Sequence, residues 1–190
     1  MPERLYQGQF DEGFEPSKHQ EVTPKNFVGL SSPRRPGLSL ATGQTALELG
    51  RFVREAKEHY FVTSPQAAAD YLLKNIYTPF EKFDQEEVWV LLLDSKNKIT
   101  HEVMVYRGSV NKAYIRPVEL FKEAARVNAV GVIMSHCHPS GDPTPSPEDT
   151  QVTCSAVESA TVLGIELLDH IIVGRDRWVS MKERGLGFKI

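Results

Sequence analysis

Residues 136–149 read His136-Cys137-His138-Pro139-Ser140-Gly141-Asp142-Pro143-Thr144-Pro145-Ser146-Pro147-Glu148-Asp149. Two imidazoles at i and i+2 at the end of a strand project to the same side, because side chains alternate with period 2. Their ring nitrogens can therefore converge on one ion. Prolines at 143, 145 and 147, with Gly141, make a stiff loop that returns the chain. Asp149, in the first turn of the next helix, can then add a carboxylate. Two neutral histidines and one carboxylate leave a fourth tetrahedral position open, as catalytic rather than structural zinc requires. One negative ligand leaves Zn²⁺ with a charge of roughly +1, enough to lower the pKa of bound water from about 15.7 toward about 7.

Taken singly, these residues have plainer readings. Ser146-Pro147-Glu148-Asp149 is also a helix start, with Ser as N-cap, Pro at the first helical position and an acid three residues on. A lone histidine is more often a hydrogen-bonded loop residue than a ligand. The set is harder to dismiss: five fixed residues, His-x-His-Pro-x6-Ser-x2-Asp, at a few per cent each match a chain this long by chance with a probability on the order of 10⁻⁵. The two roles of the helix start are compatible if backbone N–H groups engage Ser146 while Asp149 faces the ion.

The elements that must hold these residues can be read from periodicity. Ala129-Val130-Gly131-Val132-Ile133-Met134 is a short apolar strand running straight into the histidines, and a helix over about 147–163 follows the loop, with Val152, Ala156, Ala160 and Leu163 inward. Val88-Trp89-Val90-Leu91-Leu92-Leu93 reads as a central strand buried on both faces. Asp94-Ser95-Lys96-Asn97-Lys98 turns it into a partner over about 99–107. Pro117 opens a helix through Asn128 with Leu120, Phe121, Ala124 and Val127 inward, and Leu167–Val173 and Trp178–Met181 are strand-like around a Gly-Arg-Asp-Arg turn. Ahead of these, helical spacing runs from Thr45 to Ala56, and Ser64-Pro65 caps a helix over 65–76. The expectation is an α/β domain with a mixed sheet covered by helices, spanning 46–190 with a helical lead-in over 46–80. Residues 1–45, holding five of the 12 prolines and five of the 13 glycines, read as an extended arm with aromatics that could anchor it to the domain or mediate a homodimer.

Composition bounds the rest. The 190 residues suit one domain plus an appendage. A net charge of -3 and a pI near 6.1 provide no single-sign field to hold DNA through its phosphates. The arm has five basic and five acidic residues, so the deficit belongs to the folded part and favours protein or peptide over DNA. Two cysteines, Cys137 and Cys154, exclude a disulfide framework or a four-thiolate zinc site. No signal peptide or membrane span is evident, and a cytoplasmic setting is expected.

The whole signature His136-Cys137-His138-Pro139, six residues, then Ser146-Pro147-Glu148-Asp149 resembles that of the JAMM (MPN+/JAB) metalloproteases. The wider text, over about 60–185, resembles their RadC branch: Leu92-Leu93-Asp94-Ser95-Lys96-Asn97, Arg107-Gly108, Arg116-Pro117-Val118-Glu119-Leu120-Phe121, and Leu168-Asp169-His170-Ile171-Ile172-Val173-Gly174. The resemblance implies a cytidine-deaminase-like α/β sandwich and one Zn²⁺ per chain held by His136, His138 and Asp149. It further implies Ser146 as an oxyanion donor and a glutamate before the apolar strand as general base. That base maps to Glu86, with Glu87 and Glu102 as alternatives. Cys137 is expected to face away and pack, and His170 to serve structurally. The reaction implied is hydrolysis of a peptide or isopeptide bond in a protein or peptide, a ubiquitin-like conjugate among the candidates. The competing expectation is a RadC-type DNA-repair-associated or nucleic-acid-binding factor without peptidase activity. Where RadC proteins carry a helix-hairpin-helix element, this sequence has the Pro/Gly-rich arm, which argues against DNA.

Overall fold

The computed structural model describes residues 52–108 and 115–188. The expected arm over 1–45, its boundary and its part in a dimer lie outside these residues. Ten elements follow in chain order: β1 (Phe52–Glu55), α1 (Pro65–Asn75), a 3-10 turn (Phe80–Lys82), β2 (Glu86–Leu93), β3 (Ile99–Gly108), α2 (Pro117–Arg126), β4 (Gly131–Cys137), α3 (Pro147–Leu163), β5 (Glu166–Val173) and β6 (Trp178–Ser180).

The six strands form one sheet in the order β1-β3-β2-β4-β5-β6. Only β4 and β5 run parallel, because α3 carries the chain between them; the other neighbours are antiparallel. Helix α1 covers one face, where Ala68, Tyr71 and Leu72 meet Trp89, Leu91 and Ile133. Helices α2 and α3 cover the other, where Phe121 and Ala156 meet Val90, Val132 and Met134. The mixed sheet between helices is thus present, with β2 at its centre. Leu91, Leu92 and Leu93 are wholly buried, each contributing about 2 kcal/mol of hydrophobic stabilisation.

The helical reading of Thr45–Ala56 is corrected where it can be compared: Phe52–Glu55 is an edge strand paired with Met104–His101. Its side chains alternate, Phe52 packing on the α1 side and Val53 on the α2/α3 side. Pairing with the free edge of β3 overrides a short stretch of local spacing. Leu163, expected inward, is half exposed; it ends α3 beside Gly164, whose left-handed φ of 67° terminates the helix. Helix α2 stops at Arg126, and β4 extends to Cys137, so the first of the two histidines lies inside the strand.

An ion pair locks the β1 edge. Glu102, fully buried on the α1 face, bonds Arg54 Nε and accepts from Tyr71 Oη at 2.5 Å. Arg54 also donates to Asn75 O at 3.1 Å and lies over the rings of Phe52 and Trp89. Arg54→Ala would strand the buried carboxylate and cost about 3 kcal/mol, measured as a fall in urea stability; Glu102→Gln, which removes the charge with its partner still in place, should cost less. Cys137, as expected, faces the α1 core, where burial pushes its thiol up to about 12. Alkylation of the native protein followed by mass mapping should therefore mark Cys154, which is partly exposed, and leave Cys137 unmodified until the protein is denatured.

Candidate metal centre

Strand β4 delivers the imidazoles. Val132 and Met134 pack toward α2 and α3, while Ile133 and Cys137 pack toward α1; alternation therefore turns His136 to the α2/α3 side. His138 follows one residue beyond the strand, its N–H donating to Val173 O at 2.9 Å, which keeps it in phase. The loop that follows is laced to the turn between β5 and β6: Gly141 N donates to His138 O at 2.9 Å, and Arg175 N to Gly141 O at 3.2 Å. Gly174 permits this approach, since a Cβ there would collide with Gly141 O. Asp142 is fixed in turn by Thr144, whose hydroxyl and N–H donate to its Oδ1 at 2.8 and 3.1 Å and hold its carboxyl below the usual range. The Asp142 carbonyl lies 2.8 Å from His138 Nδ1. A carbonyl only accepts, so Nδ1 carries the hydrogen and the Nε2 lone pair points into the site.

Helix α3 delivers the carboxylate through its N-terminal cap. Asp149 N donates to Ser146 Oγ at 3.1 Å, while Ser146 N and Ser146 Oγ donate to Asp149 Oδ2 at 2.8 and 2.7 Å. This capping box uses one carboxylate oxygen. The other, Oδ1, lies 3.0 Å from His136 Nε2. Asp149 thus closes the helix start with one oxygen and turns the other toward the imidazoles.

His136 Nε2 and His138 Nε2 are 3.0 Å apart, and His138 Nε2 is 3.6 Å from Asp149 Oδ2. Metal bonds of 2.0–2.2 Å at a tetrahedral centre require ligand separations of about 3.3–3.5 Å; the separations here, 3.0 Å to 3.6 Å with His136 nearer Oδ1 and His138 measured to Oδ2, lie on either side of that range and close to it. Two imidazoles and one carboxylate suit a first-row transition ion rather than calcium or magnesium, which prefer all-oxygen shells. His136, His138 and Asp149 are the one such group among the described residues.

The three glutamates separate by face. Val88 pairs with His136 across β2 and β4, and residues directly opposite point the same way. Glu86, two residues before Val88, shares that face at the His138 end of β4, with its Oε2 buried. Glu87 turns to the α1 side, where its Oε2 accepts from Trp89 Nε1 at 2.8 Å and its Oε1 lies 3.3 Å from Arg107. Glu102 is occupied with Arg54 and Tyr71 on that same α1 side.

Two residues at the site carried little signal in the sequence. His170 Nε2 lies 2.8 Å from His136 Nδ1, and Thr153 Oγ1 lies 2.7 Å from His170 Nδ1. Both are fully buried. The available clue for Thr153 was its place one turn beyond Asp149, a polar residue beside the buried stripe of α3. A shift of register brings His170 to this face: between Val132/Leu167 and Ile133/Asp169 the partner strand advances two residues against one. The extra residue flips the phase of β5. Asp169, buried beside it, accepts from His170 N at 2.7 Å, Ser180 Oγ at 2.6 Å and Lys182 N at 3.2 Å; burial raises its carboxyl pKa despite these donors.

Residues 62–186 match the family description of the RadC-like JAB domain. A UPF0758 protein of Chloroflexus aurantiacus is 40% identical over 180 residues, 94% of this chain and 74% of the relative. One from Chloroflexus aggregans is 44% identical over 179 residues, 93% and 73% of the two chains; one from Bacillus cereus is 44% identical over 153 residues, 78% and 66%. With its family match covering five of the six strands, all three helices and the histidine–carboxylate cluster, the chain belongs to the RadC-like JAB domain family.

Proposed function

We propose that this chain is a zinc-dependent hydrolase of peptide or isopeptide bonds. The observation that carries the reading is the buried triangle of His136 Nε2, His138 Nε2 and the Asp149 carboxylate, with sides of 3.0, 3.0 and 3.6 Å, in a chain of the JAB family. Zinc is the ion that binds imidazole and carboxylate together most readily at a tetrahedral site with one open position. Bound there, it would supply Lewis acidity, polarising the scissile carbonyl and making water acidic enough to lose a proton near neutral pH.

The chain's own residues account for the remaining steps. Glu86, on the histidine face with Oε2 buried, takes the proton of the attacking water and passes it to the leaving nitrogen. Ser146 Oγ donates to the oxygen that gains negative charge. Rotation about Cβ–Oγ moves its hydrogen from Asp149 Oδ2 to that oxygen, while its lone pairs still accept Asp149 N–H and Asp149 Oδ2 keeps the Ser146 N–H. The loop at 138–142 and the β5–β6 turn border the site and offer a surface for a protein or peptide substrate, with a ubiquitin-like conjugate as one class. The cytidine-deaminase-like sandwich belongs to this reading; deaminase chemistry does not, because the sequence lacks the H-x-E and P-C-x-x-C signatures.

Purified protein should hold about one zinc per chain by elemental analysis, and His138→Ala should lose it. In a screen of peptide and isopeptide cleavage, chelator should abolish turnover. Glu86→Gln should keep the metal yet lower kcat by about 10²–10⁴-fold; a metal-free native protein, or a fully active Glu86→Gln, overturns the proposal. Ser146→Ala should lower kcat by about 10²-fold and stability by about 1 kcal/mol through the lost cap, seen as parallel shifts in turnover and urea midpoint.

A further inference from the structure

A chain of hydrogen bonds runs from His136 away from the site, and its direction can be read from its far end. Thr153 Oγ1 lies 2.6 Å from the Asp149 carbonyl oxygen, which can only accept, so the hydroxyl hydrogen is spent there. Toward His170 Nδ1, at 2.7 Å, the threonine must then accept, and Nδ1 carries the hydrogen. Neutral His170 is left with its lone pair on Nε2. Across the 2.8 Å contact, His136 Nδ1 must donate, which leaves the His136 Nε2 lone pair facing His138 and Asp149. All the side chains in this chain are buried, with His136 2% exposed and Thr153 and His170 fully enclosed, so water does not compete for any of the links.

We infer that Thr153 and His170 are positioning residues that set the tautomer of His136, holding it in the form able to ligate before any ion arrives. The inference rests on the metal reading of the site but concerns which nitrogen carries the hydrogen at fixed protonation. The chain also closes on itself: it starts at one ligand and ends on the backbone of another, Asp149. The His170 Nδ1 hydrogen therefore also ties β5 to the first turns of α3 through Thr153, so ring orientation and carboxylate position are set together. His138 reaches the same tautomer by a separate route, its Nδ1 facing the Asp142 carbonyl. Both imidazoles thus have their hydrogens directed outward and their Nε2 lone pairs inward.

The test uses Thr153→Val, which keeps the shape and removes the hydroxyl, with Thr153→Ser and His170→Gln as variants that can still accept and donate. Two readouts are taken on the full chain at about pH 8, where free imidazoles are neutral: ¹⁵N spectra of the histidine rings in chelator-stripped protein, and zinc affinity by competition with a chelating dye. The native protein and Thr153→Ser should show His136 hydrogenated at Nδ1. Thr153→Val should lose that single tautomer and bind zinc about 10–100-fold more weakly, while its thermal unfolding stays cooperative. His170→Gln should recover affinity relative to His170→Leu. Native-like His136 signals and zinc affinity in Thr153→Val would overturn the inference. If the native protein binds no zinc, the metal reading fails, and the ring spectra alone decide the inference: Nδ1–H on His136 in native and not in Thr153→Val upholds it, and any other pattern overturns it.

Discussion

A carboxylate at 1% exposure is the constraint around which this molecule is arranged. Burying an ionised group costs several kcal/mol unless its oxygens are engaged, and Asp149 divides that need between two tasks. Oδ2 accepts two hydrogens from Ser146, closing the cap of α3, and Oδ1 is turned beside His136 Nε2, where a cation held between them would engage it. Neither task leaves the side chain free to move. The stiff proline loop, the capped helix start and the loop-to-turn lacing at Gly141 and Arg175 all serve to bring that one oxygen to the imidazoles at the end of β4.

The sheet contributes phase. A strand has two faces, and each group at the site depends on falling on the right one. Alternation along β4 gives His136 and His138 to the α2/α3 side and Cys137 to the core beneath α1; pairing of Val88 with His136 gives Glu86 to the same side and Glu87 to the other. The opposite face has its own buried charge, Glu102 with Arg54, which fastens the edge strand and takes no part in the cluster. These two buried carboxylates thus have different partners: one faces a guanidinium, the other two imidazoles.

Much of this was legible because the residues of the cluster lie close in sequence. A strand end, a proline loop and a capped helix are local features, so His136, His138, Ser146 and Asp149 could be placed from spacing, and the start of α3 followed from Ser146-Pro147. What sequence spacing missed depends on pairing between distant segments. Phe52–Glu55 took a strand because β3 had an open edge. Leu163 fits the helical stripe, yet it is the last residue of α3, next to the Gly164 cap, and it is half exposed. His170 and Thr153 could not be joined to His136 without knowing the register of β4 and β5, and simple alternation counted without the extra residue would have turned His170 to the wrong side.

That extra residue in β5 makes the register against β4, counted modulo two, part of the chemistry. Substitutions near Leu168 alter volume and can be absorbed by neighbouring side chains, and loss of Leu168 itself would only remove the bulge, leaving Asp169–Val173 opposite Ile133–Cys137. One further residue that shifted this downstream stretch by one against β4 would instead exchange its two faces. His170 would leave His136, and Asp169 would lose the amide and hydroxyl donors that make its burial tolerable. The domain is therefore open to drift in composition along this strand but closed to drift in its register beyond the bulge. The turn at 174–177, beyond the last β4 pair at Val173, is the nearest point where that parity ceases to bind β4 and β5 together.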